Sequence, residues 1–73
     1  MNKSTPQEGF VKVMRGKHEG RGGLFDDLKS DHTAIVYWSY PIAADYDLVP
    51  LRDLVNVTSG EAMQLGFRVR GAK

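Results

Sequence analysis

The 73-residue chain contains no cysteine. A disulfide framework and a cysteine-ligated zinc site are therefore excluded as ways to stabilise so small a domain. The chain also lacks any apolar run near the roughly 20 residues of a membrane-spanning helix, and its polar first residues contain no signal-peptide core. These absences predict one soluble domain in the cytoplasm, with no membrane partner.

The chain also has almost no excess of one sign of charge, because its formal net charge is only +1. The charges are unevenly distributed, however. Residues 11–25 carry four basic residues against one acidic residue, and residues 26–53 carry six aspartates against two basic residues. Residues 54–73 are basic again, with three basic residues against one glutamate. This distribution indicates two electrostatic faces, and a mixed, solvated surface is the simpler alternative.

Apolar runs alternate with turn residues along most of the chain, which predicts an all-β fold. Residues 1–8 are polar and predict a flexible lead. Residues 9–57 contain five short strands joined by glycine-rich turns, and this pattern is typical of a small five-stranded barrel. Residues 58–73 form a C-terminal tail, either disordered or containing a short helix capped by Thr58 or Ser59.

The segment TAIVYWSY is the strongest strand signal, because it is rich in β-branched and aromatic residues. Its alternation predicts a central strand with one face on the core and the other partly exposed. Trp38 is best interpreted as a core residue, and base stacking together with Tyr37 and Tyr40 is the alternative. The predicted faces are Ala34, Val36, Trp38 and Tyr40 on one side, and Thr33, Ile35, Tyr37 and Ser39 on the other.

The segment VKVMRGKHEGRGGLF resembles the KOW motif of a large-subunit ribosomal protein and of NusG-type elongation factors. Alternating apolar residues precede three glycines at the motif's spacing, and an apolar residue follows them. The matching positions are Val11, Val13, Gly16, Gly20, Gly23 and Phe25. The later segment VPLRDLVNV resembles the end of SH3-like barrels, where a helical turn leads into the last strand. Together the resemblances cover roughly residues 9–57 and imply an SH3-like, KOW-type barrel.

The chain departs from ribosomal KOW proteins, which are generally strongly basic. Asp26 and Asp27 directly follow the motif, where a surface that tracks RNA would carry Lys or Arg. In its length, its lack of cysteine and its tail, the chain is also similar to a small phage-encoded regulator of host RNA polymerase. That resemblance implies a transcription regulator that inhibits initiation or promotes antitermination. The alternative is an RNA-binding KOW module that acts on the ribosome or the transcript.

The candidate partner-binding residues are the basic residues of the motif and three residues of the tail. Glycines 16, 20 and 23 are assigned a structural role, because no helix follows them as it would follow a phosphate-binding loop. The tail either contacts a partner or folds back over the open end of the barrel. The predicted contact residues are Lys12, Arg15, Lys17, Arg21, Phe67, Arg68 and Arg70.

No pattern of catalytic or metal-binding residues is evident. His18 and His32 match no known ligand spacing and are interpreted as surface residues beside turns. The chain has no cysteine nucleophile, and Asp26 and Asp27 would point to opposite faces of a strand. We therefore expect a monomer without enzymatic activity, cofactor or metal, which binds a protein partner and little or no nucleic acid.

Overall fold

The computed structural model describes residues 9–40 and 45–69. Most of these residues are in strands, and the helical content is one short helix and one 3₁₀ turn at Leu51–Asp53. The all-β prediction is therefore confirmed. The elements in chain order are β1 (Gly9–Val13), β2 (Gly22–Ser30), β3 (Thr33–Tyr37), β4 (Ser39–Tyr40), β5 (Tyr46–Pro50), β6 (Leu54–Asn56), α1 (Ser59–Gln64) and β7 (Arg68–Val69).

Five strands form one antiparallel sheet in the order β5-β3-β2-β1-β6. The two edge strands, β5 and β6, are consecutive in the chain and are joined by the 3₁₀ turn. They do not pair with each other within the described residues, so the sheet is not closed into the expected barrel. The pairing of β2 with β3 shifts register between Phe25 and Asp27, and such an irregularity bends a strand.

The core lies on one face of this sheet. β3 is central, since it pairs with β2 and β5, and its residues Ala34 and Val36 are fully buried as the alternation predicts. The core cluster is Val11, Val13, Phe25, Ala34, Val36, Trp38, Val49 and Leu54. The core interpretation of Trp38 is thus confirmed.

The predicted alternation is wrong after Trp38. Ser39 is buried and Tyr40 is 51% exposed, which reverses the expected faces. The chain bends at Trp38, and residues 39–40 leave the main sheet to pair in parallel with β7. A pairing partner nearly thirty residues away therefore decides which side of this segment is buried.

Glycine serves two different purposes in the β1–β2 connection and at the start of β2. Gly16 and Gly20 have φ values of 93° and 87°, in the left-handed region that favours glycine. Gly23 has an ordinary backbone conformation, but a Cβ atom there would lie 2.5 Å from Cγ1 of Val36. The first two glycines allow the chain to turn, and the third allows two strands to pack against the core.

Residues 58–69 pack on the sheet. Thr58 caps α1, because its Oγ1 accepts a hydrogen bond from the backbone N–H of Glu61 at 3.1 Å. Ala62 of the helix is fully buried, and Phe67 is 3% exposed with its ring edge-on to Phe10 at 5.3 Å. Of the two interpretations of the tail, the structure shows this part folded back onto the domain.

Candidate functional site

Residues 14–21, here called the basic loop, connect β1 to β2 and contain three of the seven predicted contact residues, Arg15, Lys17 and Arg21. Two hydrogen bonds close the base of the loop. The N–H of Gly20 donates to the carbonyl of Val13 at 2.8 Å, and the N–H of Val13 donates to the carbonyl of Arg21 at 2.9 Å. The loop therefore leaves the sheet as a hairpin whose two ends are fixed.

The second half of the basic loop packs on Trp38. The guanidinium carbon of Arg21 lies 4.0 Å from the centroid of the indole ring, within the range of a cation–π interaction. The ring of His18 lies 5.1 Å from the same ring. His18 is consequently largely covered, with 16% of its side chain exposed, so the prediction of a surface histidine is wrong for this residue. His32, in contrast, is exposed.

Asp47 of β5 joins this cluster to the edge of the sheet. Its Oδ2 accepts a hydrogen bond from Nε1 of Trp38 at 2.8 Å, and Nε2 of His18 lies 3.5 Å from the same oxygen. The indole N–H is therefore satisfied, as a buried tryptophan requires. We call the four residues Arg21, Trp38, His18 and Asp47 the tryptophan cluster.

The first half of the basic loop is tied to the 3₁₀ turn. Nη1 of Arg15 donates to Oδ1 of Asp53 at 2.9 Å. Asp53 is only 7% exposed, whereas 64% of the Arg15 side chain is exposed. The backbone N–H of Met14 also donates to the carbonyl of Asp53 at 2.7 Å. The carboxylate is thus nearly buried, and the guanidinium covers it from the solvent side.

A cleft with a volume of about 520 Å³ lies between the basic loop and β5. One wall contains Arg15, Lys17 and His18, and the other contains Asp47, Leu48 and Pro50. Lys17 is exposed, while the two carboxylates in the lining already interact with neighbouring side chains. The cleft therefore combines apolar surface with one lysine that is available to a ligand.

The remaining predicted contact residues do not gather at this cleft. Lys12 lies on β1 between two buried valines and faces away from the core, and Arg68 is exposed on β7. Phe67 lies in the interior rather than on the surface. Arg70 lies outside the described residues. The structure thus groups Arg15, Lys17 and Arg21 on one loop and places the tail residues elsewhere.

The predicted contact residues did not include Asp47 and Leu48. The alternation in Tyr46–Pro50 places Leu48 opposite to the buried Val49, so its exposure of 47% could have been anticipated. No local pattern relates Asp47 to Trp38, since their contact depends on the pairing of β5 with β3. Side chains that meet across a sheet are not recognisable from either strand alone.

Comparison of the chain with protein-family models, curated proteins and solved structures finds no match. Among the described residues, no group of three or more His, Asp or Glu side chains is arranged to hold a metal ion. No helix in the described part of the chain is long and apolar enough to cross a membrane.

Proposed function

We propose that this protein is a non-enzymatic transcription regulator that binds bacterial RNA polymerase through the basic loop and the adjoining cleft. We further propose that its open five-stranded sheet is a KOW-type variant of the SH3-like architecture, encoded by a phage and active in the host cytoplasm. RNA polymerase is proposed on the basis of the KOW-like segment and the resemblance to small phage regulators. The contacts of the basic loop support a protein partner.

The observation that carries the proposal is the engagement of the loop's two arginines. Arg15 covers the nearly buried Asp53, and Arg21 lies on the ring of Trp38. A surface that binds a polyanion needs several cations free to replace condensed counterions. Here the two guanidiniums are already held, which leaves Lys17 as the one basic side chain of the described loop without such a contact. A protein surface with charges of both signs fits this mixed site better.

The proposed mechanism involves binding without chemistry. The base of the loop is fixed by backbone hydrogen bonds, and His18 and Arg21 are held on Trp38, so little backbone conformational entropy is lost when the loop docks. A regulator of this kind acts by occupying a surface of the polymerase or by holding one of its conformations. Either action accommodates inhibition of initiation and antitermination.

Binding to purified bacterial RNA polymerase core enzyme, measured by biolayer interferometry, tests the proposal directly. A pull-down from bacterial lysate with and without nuclease accompanies it. We expect polymerase subunits to be recovered equally in both lysates, because the contact does not require nucleic acid. Recovery that disappears after nuclease treatment, or retention of RNA alone, would refute the proposal.

An RNA-binding module is the second candidate, and one observation favours it. The rings of Tyr37 and Tyr46 lie 5.4 Å apart on the face of the sheet away from the core, and Tyr46 is 48% exposed. Exposed aromatic rings on a sheet can stack with unpaired bases. Fluorescence anisotropy with a labelled single-stranded oligouridine tests this alternative. Binding that is lost in Tyr46→Ala would favour RNA over a protein partner.

A further inference from the structure

The backbone groups of β5 that face outward are those of residues that do not occupy hydrogen-bonded positions opposite β3. The N–H of Trp38 donates to the carbonyl of Asp45 at 3.0 Å, and the N–H of Leu51 donates to the carbonyl of His32 at 2.8 Å. These two bonds mark hydrogen-bonded pairs at both ends of the β3–β5 ladder. Because such pairs alternate along an antiparallel ladder, every second residue of β5 bonds to β3.

The alternation assigns Asp47 and Val49 to the hydrogen-bonded positions. The backbone N–H and C=O groups of Tyr46 and Leu48 consequently point away from β3, toward the edge of the sheet. Within the described residues β5 pairs with no other strand. Pro50 has no N–H, so the donors of this edge end at Leu48. The edge thus presents a short row of backbone donors and acceptors at the spacing that a further strand needs for pairing.

The cleft beside the basic loop borders this same edge, since Leu48 and Pro50 form part of its wall. The opposite wall holds Lys17, whose ammonium group is exposed. The carboxylate of Asp53 is neutralised by Arg15, and that of Asp47 accepts the hydrogen bond from Trp38. Among the described residues, Lys17 is therefore the cation of this cleft that no carboxylate pairs with.

We propose that the cleft binds an extended segment of the partner polypeptide, which adds a strand to β5 and places a carboxylate against Lys17. This inference rests on the proposed function in that the partner is a protein. Strand addition obtains affinity from backbone hydrogen bonds and specificity from alternate side chains. Leu48 supplies the backbone donor and acceptor together with an apolar side chain, and Lys17 selects an acidic residue.

The first test removes the backbone donor of Leu48. The N–H of Leu48 makes no bond to β3, so Leu48→Pro leaves the ladder intact, and Leu48→Ala retains the N–H as a matched control. We expect the Kd for core polymerase to rise by about fivefold in Leu48→Pro, well beyond the rise in Leu48→Ala, since the loss of one hydrogen bond worth about 1 kcal/mol corresponds to that factor. Equal affinities of the two variants would overturn strand addition. If Leu48→Pro does not fold, chemically synthesised protein with N-methyl-Leu48 replaces it.

The second test reverses the charge of Lys17. Lys17→Glu is compared with Lys29→Glu, which makes the same change of charge at an exposed position on β2 outside the cleft. We expect Lys17→Glu to weaken binding by about tenfold or more, because like charges face each other, and Lys29→Glu to change it less than about twofold. Equal losses in the two variants would show a general electrostatic effect and would contradict a carboxylate at Lys17.

A peptide experiment separates failure of this inference from failure of the proposed function. Short alternating Thr–Val peptides with a central Glu or a central Lys are titrated into the isotope-labelled full chain. The Glu peptide is expected to shift the amide resonances of Tyr46 and Leu48 more than the Lys peptide does. If these peptide shifts occur but polymerase does not bind, only the proposed function is refuted. If polymerase binds but the exchange rate of the Leu48 amide does not change, only the strand-addition site is refuted. If polymerase does not bind, the absence of any peptide-induced shift also refutes the strand-addition site.

Discussion

The basic loop and the C-terminal tail were both predicted to contact a partner, but they relate to the rest of the molecule in opposite ways. The loop is held by polar contacts to Trp38, Asp47 and Asp53, and these leave Lys17 exposed. The tail is held by apolar packing, with Phe67 almost fully buried. Substitution of the buried Phe67 in the tail should therefore alter stability, whereas substitution of the exposed Lys17 in the loop should alter binding.

The largest effect is expected from Phe67→Ala. This change removes a buried ring that packs edge-on against Phe10, and truncation of a buried phenylalanine typically costs about 3 to 5 kcal/mol. A domain of this size has few kcal/mol to lose, so we expect the urea unfolding transition to be abolished or shifted to very low urea. Val69→Ala is the matched control, since Val69 is 46% exposed on the same segment.

Partial loss of stability in Phe67→Ala, with the fluorescence of Trp38 unchanged, would show that the tail is a separable extension. The boundary between residues 9–57 and 58–73 would then also mark a folding boundary. Loss of the whole cooperative transition would instead show that both segments form one folding unit.

A second effect on the tail side is expected at Gly22. A Cβ atom at this position would lie 2.5 Å from the carbonyl oxygen of Ala62, and this backbone atom cannot move independently of α1. Gly22→Ala should therefore displace the helix and cost about 1 to 3 kcal/mol of unfolding free energy. Gly60→Ala has open space around its Cβ within α1 and should be neutral or stabilising by up to about 1 kcal/mol. Thermal unfolding by circular dichroism measures both.

If Gly22→Ala and Gly60→Ala have the same midpoint, the helix does not dock on β2 as described. A decrease confined to Gly22→Ala would confirm that the contact between Gly22 and Ala62 holds the tail in place.

Local signals in the sequence predicted the fold well where neighbouring residues decide the structure. The glycine turn after β1, the alternation of Ala34 and Val36 and the cap at Thr58 all depend on a few adjacent residues. The open edge of the sheet and the parallel pairing of Ser39–Tyr40 depend on contacts between distant segments. Periodicity along one segment contains no information about which distant segment will cover it.

The same distinction applies to the candidate site. The composition of residues 14–21 identified the loop and its basic character. It could not show that Arg21 rests on Trp38 or that Arg15 covers Asp53, because each of these contacts spans at least seventeen residues. Sequence reasoning therefore identified which residues carry charge but not which of those charges remain available. The availability of those charges distinguishes a protein-binding surface from a phosphate-binding one.

On the loop side, Arg21→Ala should have a moderate effect on stability. The substitution removes the cation over Trp38 and part of the cover of the indole ring, and such interactions contribute about 0.5 to 2 kcal/mol. Arg52→Ala is the control, since Arg52 is exposed on the 3₁₀ turn and its side chain makes no cation–π contact in the described structure. Chemical denaturation monitored by tryptophan fluorescence gives both values. Equal unfolding midpoints would mean that Arg21 does not hold the loop against the sheet.

The smallest effect on stability, and the clearest separation of the two regions, is expected from Lys17→Ala compared with Arg68→Ala. Both side chains are exposed, so each substitution should change the unfolding free energy by no more than about 0.5 kcal/mol. Their effects on binding should differ, because Lys17 lines the cleft and Arg68 lies on β7. We expect Lys17→Ala to weaken binding to core polymerase several-fold, in line with loss of one charge-assisted contact, and Arg68→Ala to leave it nearly unchanged. Biolayer interferometry at two salt concentrations measures both affinities. A larger loss in Arg68→Ala would show that the exposed edge of the tail, rather than the basic loop, forms the main contact with the partner.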